Sequence, residues 1–324
     1  MKNFEEEILN LNKKDMTKTE LFLGILSILV ISVLVGWFWV SQQKNDPILE
    51  EKAGTLVEEK KNYFDDVSLE AKSAYVLDAK ENNVLFNLNG QSQLPLASVT
   101  KLMTTLVASE MVPEGTIITI NQEDISVEGD SGLRVGEKWT LSNVLDFTLM
   151  SSSNDGAHAL ASVIGFVKLK EDGKTEDDMF IDEMNRRAQE LGLTQTFFLS
   201  ESGLDLSEGM SGSYGSARDM AILMKNIIET NPQLLKATKY SNLEIESKDF
   251  VHSVENTNQY AEAIPGIIGS KTGFTDLAGG NLVIAFDIGI GHPIIISVLG
   301  SSKDGRFEDV QKLVEASIKK FSNN

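Results

Sequence analysis

The segment from Leu21 to Val40 constrains the fold most, because its twenty residues include no charged side chain. A helix of this length spans about 30 Å, the thickness of the hydrocarbon core of a bilayer. Trp37 and Trp39 lie at one end, where aromatic rings favour the lipid–water boundary. A cleaved signal peptide would have a shorter apolar core and a small-residue cleavage site, and none follows Trp39. A soluble helix would need a core on every side, so the segment predicts one uncleaved transmembrane helix.

This segment divides the chain into four predicted parts. They are a cytoplasmic tail (1–20), the transmembrane helix (21–40), a polar spacer (41–65) and a globular domain (66–324). Lysines are slightly more frequent just before the span than just after it, which favours a cytoplasmic N-terminus. We therefore expect a single-pass protein of the cell membrane, held in the lipid bilayer by residues 21–40, whose globular domain lies outside the cytoplasm.

Composition excludes several classes of function. The net charge of −19 argues against a nucleic-acid partner, because phosphate binding requires clustered lysine and arginine. The absence of cysteine excludes disulfides, thiolate catalysis and cysteine-based zinc sites. The three histidines, His158, His252 and His292, do not have the spacing of metal ligands. We expect neither a metal ion nor a cofactor.

The hydrophobic pattern of the globular part predicts an α/β (α+β) fold. Residues 71–88 alternate on both sides of a polar turn, which predicts a hairpin, and three apolar segments between residues 266 and 300 predict further strands. Helical periodicity dominates the region between them and returns over residues 306–321. We therefore expect an antiparallel sheet of about five strands flanked by helices, with an all-helical subdomain inserted between the two ends.

Ser98 and Lys101 stand at the start of a predicted helix. Residues three apart share one helix face, so a hydroxyl and an amine become neighbours there. A serine hydroxyl becomes an effective nucleophile when a base removes its proton. By itself this pair is weak evidence for a nucleophile and its base, because Ser41–Lys44 and Ser317–Lys320 have the same spacing. Ser98 also fits the simpler interpretation of a helix N-cap.

Two further motifs complete a known set. Ser152-Ser153-Asn154 lies in a polar break between two predicted helices, and Lys271-Thr272-Gly273 lies in a predicted strand. The set of S-x-x-K, an S-x-N type element and K-T-G, in this order, is the signature of penicillin-binding proteins and class A β-lactamases. Each element lies where the chemistry needs it, namely a helix start, an inter-helix loop and a strand.

The sequences around these motifs make the match specific. The segments concerned are LASVTKLMT, LMSSSNDGAHALA and GSKTGFTDLAGGNLV, together with SGLD, SARDMA and VLGSSKDGRF. They resemble the serine D-alanyl-D-alanine carboxypeptidases, the low-molecular-mass penicillin-binding proteins, over residues 68–321. The resemblance implies a β-lactamase/transpeptidase-like fold. It also selects Ser98, because Ser41 lies in the spacer and Ser317 in the last helix, away from the other motifs.

The chemistry assigns a role to each residue of the first two motifs. Ser98 would attack a carbonyl and become acylated. Lys101 would be the general base, kept neutral by burial and by the neighbouring cation Lys271. Ser152 is placed to pass a proton to the leaving amine, and Asn154 to bind the substrate backbone or Lys101.

The third motif and two later residues would bind the substrate. Lys271 and Thr272 would hold the peptide and its terminal carboxylate, and Gly273 would let a substrate strand lie along the sheet edge. By resemblance, the backbone N–H of Phe274 and that of the nucleophile form the oxyanion hole. The resemblance also makes Arg306 a partner for the substrate carboxylate, which suits a bidentate guanidinium.

The resemblance implies a membrane-anchored carboxypeptidase that removes the terminal D-alanine from peptidoglycan stem pentapeptides and is inhibited covalently by β-lactam antibiotics. A D,D-endopeptidase that cuts cross-links uses the same residues, so that alternative stays open. A class A β-lactamase needs a loop glutamate to position water, and residues 201–215 carry SGLD instead. An inactive wall-binding protein would not need Lys101 as well as Lys271. Many family members have a C-terminal β-domain and an amphipathic membrane anchor, and we expect the N-terminal span to replace that anchor.

Overall fold

The computed structural model describes residues 62–129, 131–168 and 173–322. The predicted tail, the predicted transmembrane helix (21–40) and most of the predicted spacer lie outside the described residues. Among the residues described, no helix combines the length and apolar character needed to cross a bilayer. Phe64, at the end of the predicted spacer, is buried and stacks on Phe86 with ring centroids 5.7 Å apart. The packed region therefore begins slightly before residue 66.

The described residues form fourteen strands and six α-helices. In chain order the strands are β1 (Ser73–Asp78), β2 (Asn83–Leu88), β3 (Leu94–Pro95), β4 (Ile117–Thr119), β5 (Lys138–Thr140), β6 (Phe197–Phe198), β7 (Asp205–Ser207), β8 (Met210–Ser211), β9 (Ser213–Gly215), β10 (Asn242–Glu246), β11 (Val251–Glu255), β12 (Ile267–Thr275), β13 (Gly279–Asp287) and β14 (Pro293–Ser301). The helices are α1 (Lys101–Met111), α2 (Leu141–Ser151), α3 (Asn154–Lys168), α4 (Glu176–Glu190), α5 (Ala217–Thr230) and α6 (Gly305–Ser322).

A five-stranded sheet in the order β12-β13-β14-β1-β2 carries the fold. Every neighbouring pair in it is antiparallel. The first hairpin along the chain therefore pairs with the last strand, as the hydrophobic pattern predicts. Strand β12, which contains the Lys-Thr-Gly motif, lies at one edge of this sheet, and the three residues of the motif are buried.

Both faces of the sheet are covered, and the strand sequences explain how. Leu282 and Ile284 of β13 pack into one core with Leu313 of α6, whereas Val283 and Ala285 face the larger core formed with the other helices. Successive side chains of a strand point to opposite faces, so a strand buried on both sides must be apolar throughout. This is why β13 contains the continuous apolar run Leu282–Phe286.

The segment between β2 and β12 is not all-helical, which corrects the prediction. Five helices dominate it, but it also contains the sheet β3-β9-β6 and three two-stranded pairs, β4-β5, β7-β8 and β10-β11. The short strands satisfy backbone groups of loops that pack against the core. In β3, for example, Leu94 pairs with Gly215, which is distant in sequence. Two helix starts are fixed by side-chain caps: the hydroxyl of Thr140 accepts from the backbone N–H of Asn143 at α2, and that of Ser216 from the backbone N–H of Asp219 at α5.

Candidate active site

Ser98 lies in a 3-10 turn, Ala97–Thr100, that leads directly into α1. The preceding Ala97 has φ +48°, a left-handed conformation that is uncommon for a residue with a side chain. Neither the turn nor α1 has a side-chain cap, so the N-cap interpretation of Ser98 is wrong. The hydroxyl of the half-buried Ser98 instead accepts a 2.9 Å hydrogen bond from Nζ of Lys101.

The amine of Lys101 is completely buried and makes three hydrogen bonds. It donates to Ser98 Oγ at 2.9 Å, to Asn154 Oδ1 at 2.7 Å and to the backbone carbonyl of Ser202 at 2.9 Å. Burial lowers the pKa of Lys101 to about 7, although the carboxylate of Glu201 acts in the opposite direction. A large fraction of Lys101 is therefore neutral near neutral pH and able to accept a proton.

Lys271 has a different electrostatic role from the one expected. Burial, rather than the charge of Lys271, lowers the pKa of Lys101. The charge of Lys101, in contrast, contributes to the lowered pKa of Lys271. Burial, followed by the charges of Lys101 and Arg306, holds the pKa of Lys271 well below its ordinary value. Its Nζ donates to Ser152 Oγ at 2.9 Å and to the carbonyl of Thr272 at 2.9 Å.

The break between α2 and α3 presents Ser152 and Asn154 to the two lysines. Ser152 ends α2 in a left-handed conformation with φ +62°, and Asn154 begins α3. The amide nitrogen of Asn154 donates to the carbonyl of Glu128 at 2.7 Å, so its oxygen is directed to Lys101. Ser131 fixes the adjoining loop by donating to Asp155 Oδ2 at 2.7 Å. Both residues of the motif are thus held by backbone geometry and by a neighbouring loop.

Gly273 packs tightly against the nucleophile turn. A Cβ atom at this position would lie 2.8 Å from the carbonyl oxygen of Leu96 and 3.1 Å from the backbone nitrogen of Ser98. Besides leaving room for a substrate strand, as predicted, the absence of a side chain at this position lets β12 pack against the nucleophile turn. On either side of it, Thr272 donates to Thr257 Oγ1 at 2.7 Å, and the side chain of Phe274 is exposed.

Arg306 belongs to this group of residues rather than to the surface. It is buried, and its Nη1 donates to the carbonyl of Gly273 at 2.7 Å. Within the described residues its Nε has no hydrogen-bond partner. Burial lowers the pKa of Arg306 from its ordinary value, and Asp304 acts in the opposite direction. The structure therefore brings a guanidinium to the strand that carries Lys271.

Three residues that sequence reasoning did not single out hold this arrangement together. Asn281 of β13 donates to the carbonyls of Pro95 and Leu96. Gly203 has φ +79°, and a Cβ there would lie 2.1 Å from the carbonyl oxygen of Ala97. Asp205 accepts from Thr275 Oγ1 at 3.0 Å and so ties the SGLD segment to β12. All three lie in segments that carry the family resemblance, Gly203 and Asp205 in SGLD and Asn281 in GSKTGFTDLAGGNLV, and those segments were the usable signal.

A cavity of about 710 Å³ adjoins the cluster on the side of Ser152 and Asn154. Its opposite wall is the segment from His252 to Glu255, which belongs to β11. A second cavity of about 590 Å³ lies between the segment 258–265 and α6 and is lined by neither lysine. The lining of the first cavity does not include Ser98 or either lysine, and it reaches the cluster through Ser152 and Asn154.

The family profile described as D-alanyl-D-alanine carboxypeptidase matches residues 58–303. The chain belongs to this family. One relative, the D-alanyl-D-alanine carboxypeptidase DacF of Bacillus subtilis, is 30% identical over 261 residues, which are 79% of this chain and 64% of DacF. The chain thus spans slightly less than two thirds of that carboxypeptidase. A D-alanyl-D-alanine endopeptidase of Pseudomonas aeruginosa is 28% identical over 76% of each chain.

Solved structures of related proteins agree with this family. Penicillin-binding protein D2 of Listeria monocytogenes, in its ampicillin-bound form, is 28% identical and covers 78% of this chain and 98% of its own, with a TM-score of 0.64. A DD-transpeptidase of Streptomyces K15 has a TM-score of 0.68 at 23% identity, which shows the shared fold. The predicted membership in the carboxypeptidase family and the predicted mixed fold around a five-stranded antiparallel sheet are both confirmed.

Proposed function

We propose that this family member is a D-alanyl-D-alanine carboxypeptidase that releases the terminal D-alanine from peptidoglycan stem pentapeptides. The observation that carries the proposal is the contact between Lys101 and Ser98, in a chain that belongs to the carboxypeptidase family. A hydroxyl next to a buried amine with a pKa of about 7 is a nucleophile with its base in place.

In the first half-reaction Ser98 is acylated. Neutral Lys101 keeps two N–H bonds, to Asn154 and to the carbonyl of Ser202, so its lone pair faces the Ser98 hydroxyl. Lys101 takes the hydroxyl proton as Ser98 Oγ bonds to the carbonyl carbon of the penultimate D-alanine. The peptide bond to the last D-alanine then breaks, and the proton held by Lys101 passes through Ser152 to the leaving nitrogen, which leaves Lys101 neutral again.

The second half-reaction restores the enzyme. Water attacks the acyl carbon, and Lys101 takes one proton from it. The bond between that carbon and Ser98 Oγ breaks, and the proton returns to the serine. The products are a tetrapeptide with a new carboxylate and free D-alanine, so one water is consumed for each peptide bond cleaved.

The strand β12 is the proposed support for the substrate. An extended peptide adds to the outer edge of this strand, next to the motif, through main-chain hydrogen bonds. The backbone N–H groups of Ser98 and Phe274 then hold the carbonyl oxygen as it becomes negative. Lys271, Thr272 and Arg306 bind the terminal carboxylate. The location of the Lys-Thr-Gly motif on an edge strand supports this arrangement.

β-Lactam antibiotics are the proposed covalent inhibitors. Their ring amide offers Ser98 the same kind of carbonyl, and the leaving nitrogen stays attached, so the acyl-enzyme persists. The similarity to a penicillin-binding protein solved with ampicillin supports this proposal. Mass spectrometry after incubation with a labelled penicillin tests it: the adduct is expected on Ser98 and absent in Ser98→Ala, and an adduct on another residue contradicts the assignment.

A comparison of two substrates tests the reaction itself. We expect release of D-alanine from a pentapeptide ending in D-Ala-D-Ala, and none from the Ser98→Ala variant. Cross-linked muropeptide dimers serve as the second substrate, because a relative of similar identity is an endopeptidase. Cleavage of dimers without release of D-alanine from the pentapeptide would replace the proposal by the endopeptidase alternative.

We also propose that residues 21–40 anchor the enzyme in the cell membrane with its catalytic domain outside the cytoplasm. The uncharged run and the location of peptidoglycan support this topology. Reporters fused after Asn324 test it. Alkaline phosphatase is expected to be active there and a cytoplasm-dependent fluorescent protein dark, and the reverse result rejects the proposed orientation.

A further inference from the structure

A cluster of ionisable side chains lies directly behind Lys101. His158 of α3 contacts Glu201 at 3.6 Å (Nδ1 to Oε1) and Asp177 of α4 at 3.7 Å (Nδ1 to Oδ2). Asp124, from a 3-10 turn packed on α3, adds a third carboxylate that acts on the charge of His158. The side chains of His158 and Glu201 are only 18% and 10% exposed. Such buried charges persist in proteins when they are paired.

The segment that carries Glu201 also holds the general base. The backbone carbonyl of Glu201 accepts from Thr104 Oγ1 at 2.5 Å, and the next carbonyl, of Ser202, accepts from Nζ of Lys101 at 2.9 Å. Displacement of this segment would remove one of the two acceptors that direct the Lys101 lone pair to the serine. The conformation of the segment is therefore coupled to the orientation of the base.

The charge of Glu201 is coupled to the base as well. Its carboxylate raises the pKa of Lys101, against the larger effect of burial. Burial alone would raise the pKa of Glu201, but His158 above all holds it below its ordinary value, so Glu201 is an anion at neutral pH. Without a compensating cation, this anion would favour the protonated form of Lys101, which is inactive as a base.

His158 provides that cation. The contact with the Glu201 side chain, opposed by burial and supported by Asp177, raises the pKa of His158 to about 9. The imidazolium form therefore persists across the neutral range. Burial raises the pKa of Asp177 to about 6, so on acidification Asp177 takes up a proton before Glu201 does, and Glu201 stays the partner of His158.

We propose that His158 is a positioning residue, whose ion pair with Glu201 holds the 201–202 segment on Lys101 and shields the amine from the Glu201 carboxylate. The inference rests on the proposed role of Lys101 as the base for Ser98. It assigns to the pair a function in setting the pH range of acylation, in addition to packing. Two matched substitutions separate an effect on the pH range of acylation from an effect on packing, because they remove opposite charges from the same contact.

The experiment measures the second-order rate of acylation of the full chain by a fluorescent penicillin between pH 5.5 and 9.5. His158→Asn leaves the Glu201 carboxylate without its cation. The midpoint, which is the pH of half-maximal acylation rate, is expected to rise by about one unit, so that the rate at pH values below the midpoint falls about tenfold. Glu201→Gln is expected to lower this midpoint, and the double variant is expected to return the midpoint towards the wild-type value. His292→Asn is the matched control, because His292 pairs with Asp78 away from Lys101.

A uniform loss of rate at every pH, with the midpoint unmoved in both single variants, overturns the inference. Should His158→Asn fail to fold, Glu201→Gln still decides by the direction of its shift. A second readout, the titration of Lys101 followed by NMR of ¹³Cε-labelled lysine and assigned with Lys101→Met, does not depend on catalysis. Absence of acylation in the wild type would reject the proposed function, and the NMR midpoints would then test the inference alone.

Discussion

Asn281 fastens the nucleophile turn to the sheet: its side-chain nitrogen donates to the carbonyl oxygen of Leu96 at 3.0 Å. The same nitrogen donates to the carbonyl of Pro95 at 3.0 Å, and its oxygen accepts from the backbone N–H of Gly300 at 2.8 Å. One fully buried amide therefore joins three segments. The position of Ser98 relative to β12 depends on this link as well as on the turn itself.

Replacement of Asn281 by alanine is expected to destabilise the protein by about 1–3 kcal/mol, because one buried and two partly buried backbone groups lose their partner. Acylation of Ser98 by a labelled penicillin should also become slower, since the nucleophile turn is no longer held on the sheet. Urea unfolding and acylation kinetics measure the two effects. Asn242→Ala, at an exposed position of β10, is the control and should change stability by less than about 0.5 kcal/mol. Equal behaviour of the two variants would contradict the role given to Asn281.

Gly273→Ala tests the contact between the third motif and the nucleophile turn. The added methyl group would stand 2.8 Å from the carbonyl oxygen of Leu96, so the turn must move. We expect a loss of about 1–3 kcal/mol in unfolding free energy and a loss of acylation of about tenfold or more. Gly289→Ala is the matched control, because no atom lies within 4 Å of its added Cβ. An active and stable Gly273→Ala variant would show that the turn adapts at little cost.

The pH dependence of acylation tests the base. Only neutral Lys101 accepts a proton, so the rate should rise with pH and level off above its pKa of about 7. Lys101→Arg keeps a cation that does not deprotonate in this range, and acylation should fall by about 10²- to 10⁴-fold at every pH. Stopped-flow fluorescence with a labelled penicillin measures both. A rate that falls as the pH rises through 7 would show that a group other than Lys101 controls this part of the pH profile.

Arg306 is tested with two forms of one substrate. In the proposed complex its guanidinium binds the terminal carboxylate, and a charge-assisted hydrogen bond of this kind contributes about 1.5–3 kcal/mol. Arg306→Gln should therefore raise KM for a pentapeptide with a free carboxylate by about tenfold or more. For the C-terminal amide of that peptide, the KM of the same variant should be close to the KM of the wild type. An equal loss with both peptides would mean that Arg306 acts through its 2.7 Å bond to Gly273 instead.

The sequence predicted the local features of this fold well. The five strands of the main sheet and the break that holds Ser152 and Asn154 follow from patterns within a few residues. The all-helical insert was the wrong prediction, because two-residue strands such as β3 are defined by a partner more than a hundred residues away. A pattern of local hydrophobicity contains no signal for such pairing.

The order and the chemistry of the motifs follow from the sequence alone, since two serines, two lysines and an asparagine at recognisable spacings do not require coordinates to be noticed. Only the tertiary structure decided what those side chains experience. The low pKa of Lys101 comes from its complete burial, the direction of its amine from Asn154 and the Ser202 carbonyl, and its counter-charge from Glu201, which itself contacts His158. Desolvation and hydrogen-bond geometry depend on groups brought together from distant parts of the chain, and packing alone sets those distances.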